Sequence, residues 1–413
     1  VTALDRDGSG ALPSSEPTDV LDHWLDEHGA GLVALRRNIH AHPELSGEEH
    51  GTTELVSERL ALAGLDPRRL AVGTGLVCDL APTDDPTDGR GRSGAFALRA
   101  DLDALAMADR KDVPYRSQHA GVSHACGHDV HTAVVLGATL FFAQHPDELP
   151  GRIRAIFQPA EERVPGGALD VIADGGLADV DSIVGLHCEP KLDVGRIGVA
   201  SGPISSAADM AVITLSGPGG HTARPELTVD IVAAIATVVT ELPGRVAARV
   251  GDLGEVKIVF GAVHAGDAAN VVPTTGSIKA SIRTPSTAVW DVLPDIVAEE
   301  IDRLVETTGA EHEVDYTHGV PPVVNHAGVT DTMRRAATDA FGADAVVDVA
   351  QSWGGDDFAW LLREVPGAYV RLGVRTPGGP TLDLHAGHFD VDEQAIELGV
   401  RLLVQAVREH YRT

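Results

Sequence analysis

Ile153-Arg154-Ala155-Ile156-Phe157-Gln158-Pro159-Ala160-Glu161-Glu162 reads as a short apolar strand that runs directly into an irregular loop carrying two carboxylates. Three other segments share the pattern: Leu76-Val77-Cys78-Asp79-Leu80, Ala95-Phe96-Ala97-Leu98-Arg99 and Ser182-Ile183-Val184-Gly185-Leu186. Helix-length pieces separate them, which predicts a mainly parallel sheet flanked by helices, with Gly367-Ala368-Tyr369-Val370-Arg371-Leu372 as a further strand. In such a sheet, residues just past the carboxyl ends of the strands converge on one crevice. Asp101, Asp103, Glu161, Glu162 and His187 all stand there.

Outward from the sheet, Val20, Leu21, Leu25, Leu32, Leu35 and Ile39 recur at helical spacing, and a second helix is expected to open at Ser46 with Glu49 completing a capping box. A last helix is expected near Asp390, capped by Glu393 and carrying the stripe Ile396, Val400, Leu403 and Val407. Between these lies a different order: strand Met210 to Ser216, helix Thr228 to Leu242, strand Val256 to Ala262, strand Ser277 to Thr284, helix Ala288 to Thr307, strand His312 to Tyr316. This β-α-β-β-α-β order is ferredoxin-like. The expected plan is α/β: a discontinuous catalytic domain over 18–205 and 318–413, an inserted α+β domain over 206–317, and a disordered tail over 1–17.

Composition narrows the partners. The 413 residues suggest two domains, and 43% hydrophobic with 23% charged residues matches a globular protein. No uninterrupted apolar run reaches membrane-spanning length, and the first residues lack an export signal, so a cytoplasmic location is the expectation. A net charge of -29 disfavours nucleic acid and anionic membranes as partners. Cys78, Cys126 and Cys188 are an odd number, which points to a reducing compartment or a metal ligand rather than a disulfide framework.

The chemistry concentrates in His124-Ala125-Cys126-Gly127-His128-Asp129, where a thiol and an imidazole two residues apart form a chelate for a transition metal. A buried cysteine beside a capping histidine is the bland alternative. The start of the following helix, through Val134, Leu136 and Leu140, is expected to lower the Cys126 pKa and favour a thiolate able to bridge two ions. Glu161 and Glu162 point in different directions, so one can hold metal while the other moves a proton. Two ions about 3.5–4 Å apart can polarise an amide carbonyl and acidify a shared water. Asp101 and Asp103 are expected to orient a ligand imidazole from behind. Zn, Mn, Co and Ni all tolerate such mixed donors.

Arg99-Ala100-Asp101-Leu102-Asp103-Ala104-Leu105, His124 to Asp129, Phe157 to Glu162, Gly219-Gly220-His221, Asn270-Val271-Val272-Pro273 and Leu384-His385 stand in an order that resembles the metal-dependent aminoacylase-like amidohydrolases, which include hippurate hydrolase and the plant indole-acetyl-amino acid hydrolases. The resemblance runs from about Leu35 to Leu402. It implies two divalent ions per subunit held by Cys126, His128, Glu162, His187 and His385, with Glu161 as general base and acid. It further implies that the inserted domain is both lid and dimer surface, and that His221 reaches the neighbouring subunit's site to steady an oxyanion. Arg283, on the strand face away from the small core, is expected to bind a substrate carboxylate with help from Asn270 and the backbone of Gly354 and Gly355. Ala106, Asp356, Arg224, Glu226 and Ala386-Gly387 depart from the family pattern without removing a ligand.

The resulting expectation is a dinuclear-metal amidohydrolase that cleaves an N-acyl amino acid, or a related small amide, to a carboxylate and a free amine. A dipeptidase or carboxypeptidase, a ureido-group hydrolase and a non-catalytic metal-containing binding protein are the alternatives.

Overall fold

The computed structural model of the protein describes residues 19–82 and 94–412. The tail expected over 1–17, and residue 18 at the start of the first domain, lie outside the described residues. The larger sheet has the strand order Arg68–Arg69, Leu76–Leu80, Ile153–Gln158, Ala95–Asp101, Val180–Asp193, Gly367–Arg375, Ile197–Gly198, Val346–Val347. Its central strands, Ile153–Gln158 through Gly367–Arg375, are mutually parallel, and antiparallel pairings appear only toward the edges. All five apolar segments read from the sequence are strands here.

Alternation along these strands feeds two cores. Phe96, Leu98, Ala155, Phe157, Val184 and Leu186 pack with the helices Val20–Ala41, His128–Gln144 and Gln394–Arg412. Ala97, Ile156, Ile183 and Tyr369 pack on the other face with Phe358, Ala359 and Leu361 of the helix Phe358–Glu364. Each such buried Leu, Ile or Phe contributes roughly 1.5–3 kcal/mol relative to exposure.

Two expected caps give way to tertiary contacts. The second helix spans His50–Leu62 and has no side-chain cap. Ser46 Oγ instead donates to Asp103 Oδ2 at 2.7 Å, and Glu49 Oε1 accepts from the Gly47 and Ala160 amides at 2.8 and 2.7 Å. The last helix spans Gln394–Arg412, later than expected, because Glu393 is drawn to Arg37 at 2.5 Å and Arg36 at 3.3 Å.

The residues between the two parts of the larger sheet form a four-stranded antiparallel sheet in the order Lys257–Ala265, Thr275–Arg283, Ala208–Ser216, Glu311–Val320. One face, with Ala211, Ile213, Leu215, Ile278, Ala280 and Ile282, packs on the helices Ile231–Val250 and Leu293–Glu306. The expected helix Ala288 to Thr307 is divided into Thr287–Trp290 and Leu293–Glu306. By length and composition alone the segment Ile231–Leu253, with mean hydropathy 1.5, could cross a bilayer, although Glu241, Arg245 and Arg249 interrupt its apolar run, in keeping with the sequence expectation. Its stripe Ile231, Ala234, Ile235, Val238, Leu242, Val246 and Val250 is buried against the small sheet.

Behind the crevice, Arg36 ties the first helix to the one that follows Cys126. Its Nε donates to Asp129 Oδ2 at 2.6 Å, both side chains being wholly buried, and it also pairs with Asp390 at 3.2 Å. His40 Nδ1 meets the same Asp129 oxygen at 2.7 Å. Removing the guanidinium leaves a buried carboxylate underpaired, so Arg36→Met is predicted to cost about 3–5 kcal/mol. A urea titration checks this, and an unchanged midpoint would contradict it.

Candidate functional site

A cleft of about 420 Å³ opens at the carboxyl ends of the central strands, lined by Cys126, Glu161, Glu162, His187 and His385 on one side and by Arg283 of the small sheet on another. Local backbone geometry aims these groups. Gly127 has φ 96°, and a Cβ there would come within 2.7 Å of Cys188 Sγ, so only glycine lets the chain turn from Cys126 into the helix beginning at His128. Ala160 and His385, both with φ 54°, hold left-handed conformations that non-glycine residues rarely adopt. Strain at these two positions flanks Glu161 and carries His385 itself into the cleft.

The imidazoles are oriented from behind. His128 Nδ1 donates to the Asp103 carbonyl at 2.9 Å, and His187 Nδ1 donates to the Cys188 carbonyl at 2.7 Å, so both Nε2 atoms face the cleft side. His187 Nε2 lies 3.3 Å from Cys126 Sγ. His385 Nε2 lies 3.3 Å from Glu162 Oε1, and His128 Nε2 lies 4.0 Å from that same oxygen. His128 Nε2 and Glu162 Oε1 are buried polar atoms with no hydrogen-bond partner among the described residues. Donor atoms of Cys126, His128 and His187 lie within 4.8 Å of one another, as do those of Cys126, Glu162 and His385, and those of His128, Glu161 and Glu162. Sulfur, imidazole and carboxylate donors that converge, with His128 Nε2 and Glu162 Oε1 left unsatisfied among the described residues, fit a transition-metal cation, and Cys126 belongs to two of the groups.

Electrostatics point the same way. Burial lowers the His128 pKa, but Asp101 and Asp103 outweigh it and raise it to about 10, so a proton occupies the imidazole unless another cation replaces it. Burial, with Asp356 and Glu162, lifts the Glu161 carboxyl well above its usual range. Cys126 contradicts the sequence expectation: burial, then Glu162 and Glu161, push its thiol well up rather than down. It precedes the helix and sees more carboxylate than helix dipole, so its thiolate form needs a cation close by.

Asp103 meets His128 as expected, and both aspartates do further work. Asp103 faces His128 Nδ1 with its carbonyl at 2.9 Å and with carboxylate Oδ1 at 3.3 Å, and the same carboxylate accepts the Glu161 and Glu162 amides at 3.0 and 2.9 Å and so fixes the carboxylate loop. Asp101 accepts from Arg99 Nη1 at 2.5 Å and from His131 Nδ1 at 2.7 Å. The Cys188 amide donates to His131 Nε2 at 3.0 Å, so that nitrogen is unprotonated and His131 spends both nitrogens on bracing. Sequence reasoning missed His131, although its position three residues beyond His128 on one helix face was visible.

Arg283 lines the cleft as expected, its Nη1 donating to the Trp353 carbonyl at 3.3 Å, and Gly354 and Gly355 line it too. His221 and Asn270 do not line this cleft. They sit exposed on the paired strands Gly220–His221 and Val271–Val272 and the turn before them. Within one chain Asn270 therefore does not assist Arg283, contrary to expectation.

Fold and donor set together define a metal-dependent hydrolase. The chain belongs to Peptidase family M20/M25/M40, whose model matches residues 97–409. It is 35% identical over 365 residues to N-acetyl-L-cysteine deacetylase of Bacillus subtilis, covering 88% of this chain and 84% of that one. A Rhodococcus jostii protein with a provisional glutamate–cysteine ligase name is 42% identical over 404 residues; the match takes in 98% of this chain but only 49% of the relative's length. Among solved structures, the Bacillus subtilis YXEP protein, titled a dinuclear metal binding peptidase, superposes with a TM-score of 0.80 at 28% identity, covering 94% of this chain and 99% of that one.

Burial also sets an acid limit. His124 is enclosed, with neither ring nitrogen hydrogen-bonded, and burial pulls its pKa down to about 3. Between an unfolded value near 6.5 and about 3, the unfolded chain binds the proton and the folded one does not, so stability falls as pH falls. His124→Asn is predicted to flatten this dependence by about 1.4 kcal/mol per pH unit. Urea midpoints of metal-free protein at several pH values in that window test it, and parallel profiles for the two proteins would refute it.

Proposed function

We propose that the protein is a dinuclear-metal amidohydrolase that cleaves N-acyl amino acids to a carboxylate and a free amine. The carrying observation is Glu161 beside Glu162, clustered with the donor atoms of Cys126, His128, His187 and His385 at a cleft that Arg283 shares. Cys126, His128, Glu162, His187 and His385 are the residues that would hold the ions, Zn, Mn, Co or Ni by donor type. The chemistry such ions supply when bound is polarisation of the amide carbonyl and acidification of a water. Glu161 takes the proton from the attacking water and returns it to the leaving nitrogen. Arg283 seats the substrate carboxylate through a guanidinium that has no ion pair among the described residues, with the Gly355 backbone beside it. The N-acetyl-L-cysteine deacetylase relative supports an acylated amino acid as substrate.

The exposed place of His221 and Asn270, outside their own chain's cleft, supports a homodimer formed through residues 206–317, the inserted lid, in which His221 of the partner subunit steadies the oxyanion. Closure of that unit over residues 18–205 and 318–413 would exclude water. Three unpaired buried cysteines suit a reducing compartment such as the cytoplasm.

Glu161→Gln is predicted to lower kcat by about 10²–10⁴-fold with the metal content unchanged. Hydrolysis of N-acetyl amino acids beside elemental analysis decides it, and wild-type rates in the variant would remove Glu161 as the base. Mixing Glu161→Gln with His221→Ala, each inactive alone, is predicted to restore activity by forming mixed dimers with one intact site. Continued inactivity of a verified mixed dimer would reject the shared site.

A further inference from the structure

The cleft holds a second guanidinium that the proposed reaction does not use. Arg371 lies on the central strand Gly367–Arg375, in register with His187 of the neighbouring strand, and its side chain lines the same cleft as Arg283. It is half-buried, and its guanidinium carbon stands 5.4 Å from the centre of the Tyr369 ring. Tyr369 is wholly buried beside His187, so this contact fixes where the cation points.

Charge makes the arrangement informative. The chain has 61 acidic against 32 basic residues, and arginines elsewhere in the larger unit, such as Arg36, Arg99, Arg154 and Arg408, are held by carboxylates. Among the described residues neither Arg283 nor Arg371 has a carboxylate within ion-pair distance. A guanidinium stays charged at any working pH, and partial burial without a counter-charge costs free energy that an anionic ligand recovers. One cation belongs to the small sheet and the other to the large sheet, so a single carboxylate at Arg283 leaves Arg371 unanswered.

We infer that the substrate is a dianion: an N-acyl amino acid whose second carboxylate seats on Arg371, making that residue the determinant of specificity. The inference rests on the amidohydrolase reading given above. The second carboxylate belongs either to an acidic amino-acid side chain or to a dicarboxylic acyl group, and the two sources share one chemistry, a planar anion held by a guanidinium fork.

The test pairs near-isosteric amides on the metal-loaded enzyme: N-acetyl-L-glutamate against N-acetyl-L-glutamine, and N-succinyl-L-alanine against N-butanoyl-L-alanine. In at least one pair the dianion is expected to have the higher kcat/KM, by about tenfold or more, the worth of one charge-assisted hydrogen-bonded pair. Arg371→Gln should collapse that ratio, and Arg371→Lys should restore part of it. The pair that responds identifies which half of the substrate carries the second acid. No preference in either pair, or a preference that survives Arg371→Gln, overturns the inference while leaving the amidohydrolase reading intact. Titrating the same compounds against the fluorescence of Trp353, which lines the cleft, separates the two ideas further. Tighter binding of a dianion that depends on Arg371, in the absence of any turnover, would uphold Arg371 as the seat of a second carboxylate while overturning the amidohydrolase reading, and with it the dianion's role as substrate. Equal binding of dianions and monoanions without turnover would overturn both.

Discussion

Carboxylates crowded into a largely buried crevice are the constraint on which the rest of the structure depends. Asp101 and Asp103 are almost wholly buried, and Glu161, Glu162, Asp356 and Asp357 stand close by. In a medium of low effective dielectric, like charges at such spacing repel strongly, and the fold answers with positive charge at defined points. Arg99 threads between Asp101 and Asp357, at 2.5 and 3.0 Å. Arg36 answers Asp129 one layer further back. What remains uncompensated is the cleft side of the cluster, where burial and neighbouring carboxylates push the Cys126 thiol and the Glu161 carboxyl well above their usual ranges. A cation placed there would reverse those shifts, so the proposed metal site and the proposed general base draw on the same electrostatic imbalance.

Positioning follows from hydrogen bonds that leave the working atoms free. Asp103 shows the economy of the design, since its carbonyl turns His128 and its carboxylate holds the loop of Glu161 and Glu162 through two amides. His131, fixed between Asp101 and the Cys188 amide, clamps the strand that carries His187 to the helix that carries His128. Bracing of this kind keeps ligand atoms within the few tenths of an ångström that coordination geometry demands.

Much of this was legible in the chain. The strands were readable because a buried parallel sheet demands short, continuous apolar runs, and Ile153 to Phe157 or Ala95 to Arg99 satisfy that demand without competition. The convergence of Cys126, Glu161, Glu162, His187 and His385 followed from strand-end placement together with family resemblance. Local rules failed where a distant partner offered more: Ser46 and Glu49 have capping-box spacing, yet Asp103 and the Ala160 amide draw them away. The Cys126 pKa was misjudged because a helix end is visible in sequence while the four carboxylates around a buried sulfur are not. Arg371 reads in sequence as one polar residue in a strand, and its significance depends on which neighbours it lacks.

The strand Gly367–Arg375 lies between Val180–Asp193 and Ile197–Gly198, although it is synthesised well over a hundred residues after both. A nascent chain therefore carries a central strand, with Ile183, Val184, Leu186 and Cys188 along it, whose edge stays open until Gly367–Arg375 has been synthesised. Such an edge is a template for pairing with another polypeptide. The late arrival of its true neighbour leaves that edge exposed during elongation, and the donor cluster of the cleft is complete only once His385, later still in the chain, has been made.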